Sequence, residues 1–360
     1  MAKSLKPQKQ VLFERGDEGF KVFRIPALET TNKGTLLATC EARMSRSDWS
    51  CKALVYRRSE DGGKTWSKLQ EIVSVPKDTT NEGNGQNKKD VVLNNPLFIV
   101  DEDNVVHFLY CESYMRAYHC VSTDDGKTFS KAKEITDTFE KFRERDGIDW
   151  NVIATGPGAG IQLRSGRLVA PIWIGYGKGK SHRPNTCGTI YSDDKGQTWE
   201  AGDILSPEYK EEMGNLNENQ AVELADGSVM LNMRSHSSKH RRAYTISKDG
   251  AHDWSEPKHI EDLFEPICMA STVRLTTKNE DVATKNRLLF SNPSSDKIFT
   301  FHRRQSGIFG FSSCTNSGQE HLLLVRTGQT GVFSSPQDLL RPNLLCEVFS
   351  QMDYQRKRAN

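Results

Sequence analysis

Four short stretches of this chain carry the arginine, carboxylate and amide side chains of a candidate site. Phe23-Arg24-Ile25-Pro26 carries one arginine. Glu41-Ala42-Arg43-Met44-Ser45-Arg46-Ser47-Asp48-Trp49 places an arginine shortly before an aspartate. Asn217-Glu218-Asn219-Gln220 and Asn232-Met233-Arg234 hold a glutamate and an arginine 16 residues apart, on either side of an Ala225-Asp226-Gly227-Ser228 turn. Successive strands of one sheet would bring that last pair together. Arginine is planar and permanently charged, so it grips a carboxylate through paired hydrogen bonds. A carboxyl group in the same pocket can pass a proton. Taken singly, Arg24 also has a reading as a surface ion pair, which its place before Ile25-Pro26 disfavours; Asp48 has one as a loop turn-former, and Glu223 is a rival to Glu218. Gly156-Pro157-Gly158-Ala159-Gly160-Ile161 reads as a tight loop. It is not a phosphate cradle, because neither a strand–loop–helix context nor a following Lys-Ser/Thr accompanies it.

The elements that position these residues are announced by a repeated turn, Ser-x-Asp-x-Gly-x-Thr-Trp. Ser59 to Trp66 and Ser192 to Trp199 match in full, and Ser122 to Phe129 exchanges the tryptophan for phenylalanine. Ser247 to Trp254 is degenerate but keeps its serine, aspartate and tryptophan in register. Aspartate and serine side chains hold a tight turn by bonding nearby backbone N–H groups. Glycine supplies the positive φ, and the aromatic ring anchors the turn by burial. Short β-branched and aromatic runs precede the turns: Leu54 to Arg58, Val105 to Cys111, Tyr118 to Val121, Leu168 to Ile174, Gly188 to Tyr191, Ser228 to Arg234 and Ala243 to Ile246. Asp137 to Arg145 and Glu261 to Phe264 are expected as short helical loops. A turn recurring every 55 to 70 residues, with about four strands per repeat, predicts an all-β repeat fold, a β-propeller. A β-sandwich would not explain the recurrence.

Composition agrees. The 360 residues are 36% hydrophobic and 27% charged, with net charge +2 and a mean hydropathy of −0.64. That profile suits many small blades better than one thick core. The short basic patches Lys88-Lys89 and Lys239-His240-Arg241-Arg242 read as solvated loops, so no nucleic-acid partner is expected. No apolar run reaches the length of a membrane span. The N-terminal stretch lacks an apolar signal core, and the eight cysteines include no C-x-x-C pair, so a cytoplasmic setting with free thiols is expected. Nothing in the sequence sets an oligomeric state.

The Phe-Arg-Ile-Pro motif upstream of several boxed turns resembles the sialidase (neuraminidase) superfamily, over roughly Val22 to Pro293. The resemblance implies a six-bladed propeller, with the site on its axis and the boxed turns remote from it. It implies an exo-α-sialidase that removes terminal sialic acid from glycoproteins, oligosaccharides or gangliosides with retention, using no metal or cofactor. Arg24 and Arg234 would hold the substrate carboxylate. Asp48 would be the acid/base, with Arg43 and Asn95 lining the pocket. Glu218 would deprotonate a nucleophilic tyrosine, because a phenol with a pKa of about 10 needs a neighbouring base. Sialidases depart from the two-carboxylate scheme in using tyrosine.

The C-terminal part departs from the family pattern. Residues 1–295 read as the blades and residues 296–360 as a divergent segment, leaving the last blade incomplete or irregular and the closing strands missing. Arg303, Arg304 and Arg326 are weak candidates for the family's third arginine. Tyr354, six residues from the end, lacks the nucleophile's expected neighbours. The alternatives are a sialic-acid-binding propeller without turnover and a boxed-turn propeller serving protein binding.

Overall fold

The computed structural model describes residues 8–75, 91–178, 181–276, 287–292, 322–326 and 329–333. They form six sheets, the blades of a β-propeller. Blade I runs antiparallel through Val22–Thr30, Leu36–Arg43, Cys51–Ser59 and Gln70–Ser74. Blade II follows with Leu93–Val100, Val106–Glu112, Arg116–Ser122 and Lys133–Glu134. Blade III comprises Val152–Thr155, Leu168–Gly175, Asn185–Ser192 and Glu200–Ile204. Blade IV comprises Leu216–Glu223, Val229–Ser235, Arg241–Ser247 and Lys258–Phe264. Blade V shows two strands among the described residues, Ser271–Thr276 and Arg287–Ser291.

Blade VI shows how the ring closes. The hairpin Leu322–Arg326 and Gln329–Phe333 pairs through its second strand with Gln8–Gln10. The sequence led us to expect no closing strands after residue 295. Instead the two ends of the chain share one sheet, a pairing too long-range for any local signal.

Hydrophobic cores lie between neighbouring blades. Leu37, Leu54, Phe98 and Phe108 join blades I and II. Leu97, Leu109, Ile153, Ile172 and Ile190 join blades II and III, with Phe139 and Phe142 inserted from the helix Thr136–Glu144. Val169, Trp173, Leu216, Leu231 and Met233 join blades III and IV. A strand packed on both faces buries every position, which is why Leu168–Gly175 reads as nearly continuous apolar sequence.

The boxed turns are built as their composition dictates. Asp61 Oδ1 accepts from Ser59 Oγ at 2.8 Å and Thr65 N at 2.9 Å, and Gly63 N donates to Ser59 Oγ at 2.8 Å. The turns at Asp124 and Asp194 repeat this geometry. In the degenerate turn Asp253 stands at the threonine position, and His252 Nδ1 lies 3.0 Å from Asp249 Oδ2 instead. Trp66, Phe129, Trp199 and Trp254 each pack on a different core cluster.

The helix expected near residues 137–145 is present as Thr136–Glu144. The second expected helix is absent. Glu261 to Phe264 falls within Lys258–Phe264, the outer strand of blade IV, paired with Arg241–Ser247. Its half-exposed charged residues mimic a loop, and ladder pairing overrides local propensity.

Candidate active site

Three inner strands break register where site residues stand. The shift lies between Arg24 and Ala27 in blade I, between Asn94 and Leu97 in blade II, and between Leu216 and Asn219 in blade IV. In the first two, proline follows the residue with positive φ: Ile25 (φ 54) precedes Pro26 and Asn95 (φ 57) precedes Pro96. Proline has no N–H for the ladder, so it sits at an edge or a bulge. Left-handed backbone at a β-branched residue is strained, and such strain collects at functional sites. Bulges re-aim side chains.

Asp48 lies in the loop between the second and third strands of blade I. That loop is held by its serines: Ser50 Oγ donates to Ser45 O at 3.0 Å and Ser47 O at 2.7 Å. Asn94 Nδ2 donates to the Asp48 carbonyl at 3.1 Å. Arg43 Nη1 donates to Asp48 Oδ1 at 2.7 Å, and Arg24 Nη1 lies 3.5 Å from the same oxygen. Asp48 is 43% exposed and Arg24 25%, whereas Arg43 has no exposed side-chain surface. Burial works to raise the Asp48 pKa. The charges of Arg43 and Arg24 outweigh it and hold the carboxyl below its ordinary range.

Opposite, Glu218 and Arg234 meet across adjacent strands of blade IV. Arg234 Nη1 donates to Glu218 Oε2 at 2.5 Å. Arg234 Nε is buried and has no hydrogen-bond partner among the described residues. Burial opposes the Arg234 charge, but Glu218 dominates and raises its pKa.

Two residues link the halves. His182, on the loop before Asn185–Ser192, lies in the fields of Asp48, Glu218, Arg183 and Arg234. Burial lowers its pKa despite the two carboxylates. Tyr114 lies in the fields of Asp48, Glu41 and Glu218, and burial followed by those charges pushes its phenol well up. Trp49, Tyr114 and Trp173 surround the His182 ring with centroids 5.9, 4.7 and 5.5 Å away. His182 Nε2 and Trp173 Nε1 are both buried without hydrogen-bond partners among the described residues. Aromatic rings thus pack around His182 beside Asp48.

The sequence-derived residues therefore converge as two groups, Arg24–Asp48–Arg43 and Glu218–Arg234, bridged by His182 and Tyr114. Asn95 joins the first group through its backbone: its N–H donates to Glu41 Oε1 at 2.8 Å, and its carbonyl accepts from Thr155 Oγ1 at 2.7 Å. Arg43 supports Asp48 from beneath the surface, a difference from the pocket-lining position expected of it. Glu223, the rival glutamate, stands at the other end of its strand, about 16 Å from Glu218 at strand rise. It pairs there with Arg164 at 3.1 Å and Arg274 at 3.6 Å. The loop from Gly156 packs between inner strands. Gly158–Ala159 pairs parallel with Leu93–Val100, and Gln220 Nε2 donates to Pro157 O at 2.8 Å. Arg303, Arg304 and Tyr354 lie outside the described residues, and Arg326 ends the strand Leu322–Arg326. The sequence reading missed Glu41, Tyr114, His182 and Trp173. The one available signal was the adjacency of Glu41 and Trp49 to the motif already singled out.

Residues 74–305 match the family profile described as a BNR repeat-like domain. A sialidase of Bacteroides fragilis (strain YCH46) is 32% identical over 301 residues, covering 78% of this chain and 52% of the relative. The chain belongs to the sialidase family. A sialidase of Micromonospora viridifaciens is 30% identical over 311 residues, covering 79% of this chain and 44% of the relative. The chain thus spans about half the length of these two sialidases. Among solved structures, the Hadza microbial sialidase Hz136 superposes with a TM-score of 0.71 at 24% identity, covering 89% of this chain and 67% of that one. The intramolecular trans-sialidase from Ruminococcus gnavus superposes with a TM-score of 0.67 at 17% identity, covering 92% of this chain and 99% of that one. These likenesses show the propeller fold. No helix among the described residues is long and apolar enough to cross a membrane.

Proposed function

We propose that this chain carries an exo-α-sialidase site that binds the terminal sialic acid of glycoproteins, oligosaccharides or gangliosides. The observation that carries this is the meeting of Arg24 and Asp48 with Glu218 and Arg234 around His182. A sialoside has its carboxylate on the anomeric carbon. Arg24 and Arg234, with side chains 25% and 23% exposed, present guanidinium groups to that carboxylate. Asp48 then loses part of the field that keeps it ionised, which favours the proton it must give to the leaving oxygen. After departure it activates water. Glu218 serves as base towards the nucleophile, and retention follows from two displacements.

A second reading, binding without turnover, has its own support. Glu218 is engaged by Arg234, and the phenol in its field, Tyr114, is held protonated by burial. On this reading Tyr114 is not the nucleophile, and Tyr354 lies outside the described residues. Hydrolysis of a fluorogenic sialoside separates the two. Release of the fluorophore that is lost in Asp48→Ala supports the enzyme. Tight binding of the unsaturated sialic acid analogue with no release supports the binder. The described cysteines are free thiols, which fits a reducing compartment, and a cytoplasmic setting is part of the same proposal.

A further inference from the structure

Beneath the candidate acid lies a buried ionic relay with no established task. Glu41 has no exposed surface. Its Oε2 accepts from Arg43 Nε at 2.6 Å and also pairs with Arg43 Nη2. Its Oε1 accepts the Asn95 N–H at 2.8 Å, fixing the bulge of blade II. Arg43, equally buried, sends its remaining nitrogen, Nη1, to Asp48 Oδ1 at 2.7 Å and to the Ser47 carbonyl at 3.2 Å. Thr155 of blade III ties off the Asn95 carbonyl. The relay therefore spans the inner ends of three blades.

Burying a carboxylate and a guanidinium is costly, and an apolar pair of similar volume often holds a core equally well. An apolar pair could not do what this geometry does. One carboxylate oxygen, Glu41 Oε2, lies against both Nε and Nη2 and holds that edge of the guanidinium. The third nitrogen, Nη1, is then aimed at Asp48 Oδ1 and the Ser47 carbonyl. We infer that Glu41 is a positioning residue: its buried carboxylate orients Arg43, and Arg43 orients Asp48 for proton transfer. The inference rests on the acid/base reading of Asp48.

The groups facing Asp48 are Arg43 and Arg24 from blade I, His182 from the loop of blade III, and the Tyr114 phenol from the turn of blade II. Glu41 shares the charge of Arg43 with Asp48, and burial raises its own pKa against the pull of Arg43. Glu41→Gln keeps the shape and an acceptor oxygen but removes that share. The guanidinium is then no longer fixed, so Arg43 slackens its hold on Asp48, and this loss outweighs the removal of the Glu41 charge.

The test is a carboxyl-carbon NMR titration of Asp48, assigned by the signal lost in Asp48→Asn. In Glu41→Gln the Asp48 midpoint should move up by at least about half a unit. A Glu41 that does not orient Arg43 would act only through its charge, so its removal would leave the midpoint in place or move it down, and either result overturns the inference. If Glu41→Gln does not fold, Arg43→Lys serves. Its single ammonium cannot grip both carboxylates, so the Asp48 midpoint should rise, and an unchanged midpoint overturns the inference equally. The titration needs neither turnover nor ligand. Failure of the sialidase reading would instead appear as absent hydrolysis and absent analogue binding in the parent protein, so the two failures are distinguishable.

Discussion

Replacing His119 should flatten the dependence of stability on pH. His119 and His107 lie buried in blade II, their rings stacked with centroids 5.3 Å apart. His107 Nδ1 is 3.1 Å from His119 Nε2, and His107 Nε2 is 3.3 Å from Asp101 Oδ2. Both rings are satisfied when neutral: His119 donates to His107, and His107 donates to Asp101. Trp199, from the boxed turn of blade III, packs edge-on against His119 at 5.4 Å. Burial, then the charges of His107 and Lys133, lower the His119 pKa to about 3, and burial lowers that of His107 as well. In the unfolded chain each histidine titrates near 6.5. The folded value is the depressed one, so the unfolded chain takes up protons first as pH falls. The stability is complete above about pH 6.5 and is lost progressively towards pH 3. Each unit is worth about 1.4 kcal/mol per proton, so His119 alone withdraws about 2 kcal/mol between pH 6.5 and 5. Urea unfolding at pH 7, 6 and 5 measures this in the parent and in His119→Gln. Ordinary carboxylates titrate below that window, and the other histidines contribute to both proteins. The parent should lose stability more steeply, by up to about 1.4 kcal/mol per unit. Parallel profiles would refute the reasoning, even if the variant were uniformly weaker.

Three further outcomes follow from the geometry. Gly196→Ala should destabilise the chain by about 1–3 kcal/mol in the same unfolding assay, because φ is +81° and the new Cβ would lie 2.8 Å from the His107 ring; an unchanged midpoint would contradict the packing of this boxed turn on blade II. If the chain turns over a sialoside, Asp48→Ala should lower kcat by about 10²-fold or more while analogue binding changes far less, because proton transfer is removed. Asp61→Ala should lower the melting temperature and leave analogue affinity unchanged, since its bonds to Ser59 and Thr65 hold a turn remote from the site.

The sequence showed those parts of the molecule whose physics is local. A boxed turn bonds within eight residues, so its aspartates and aromatic anchors are legible wherever they recur. Arg24 and Asp48 stood out through their motif neighbours, and Glu218 with Arg234 through their spacing across one hairpin. The unread parts are made by distant segments. Glu41 looks like any strand glutamate until Asn95 of the next blade donates to it. Tyr114 and His182 come from a turn and a loop of different blades, and only the ring arrangement brings them to Asp48. Closure through Gln8–Gln10 and Gln329–Phe333 joins the two ends of the chain. Glu261 to Phe264 misled because an exposed outer strand and a polar helical loop share a composition.

The central claim is that Arg24 and Arg234 form one pocket for the carboxylate of sialic acid. Calorimetric titration of the unsaturated sialic acid analogue into the parent, Arg24→Ala and Arg234→Ala tests it most directly. A charge-assisted hydrogen bond is worth about 1.5–3 kcal/mol, so each variant should bind at least about tenfold more weakly, at one site per chain. Parent-like affinity in either variant, with the fold intact, would contradict the account.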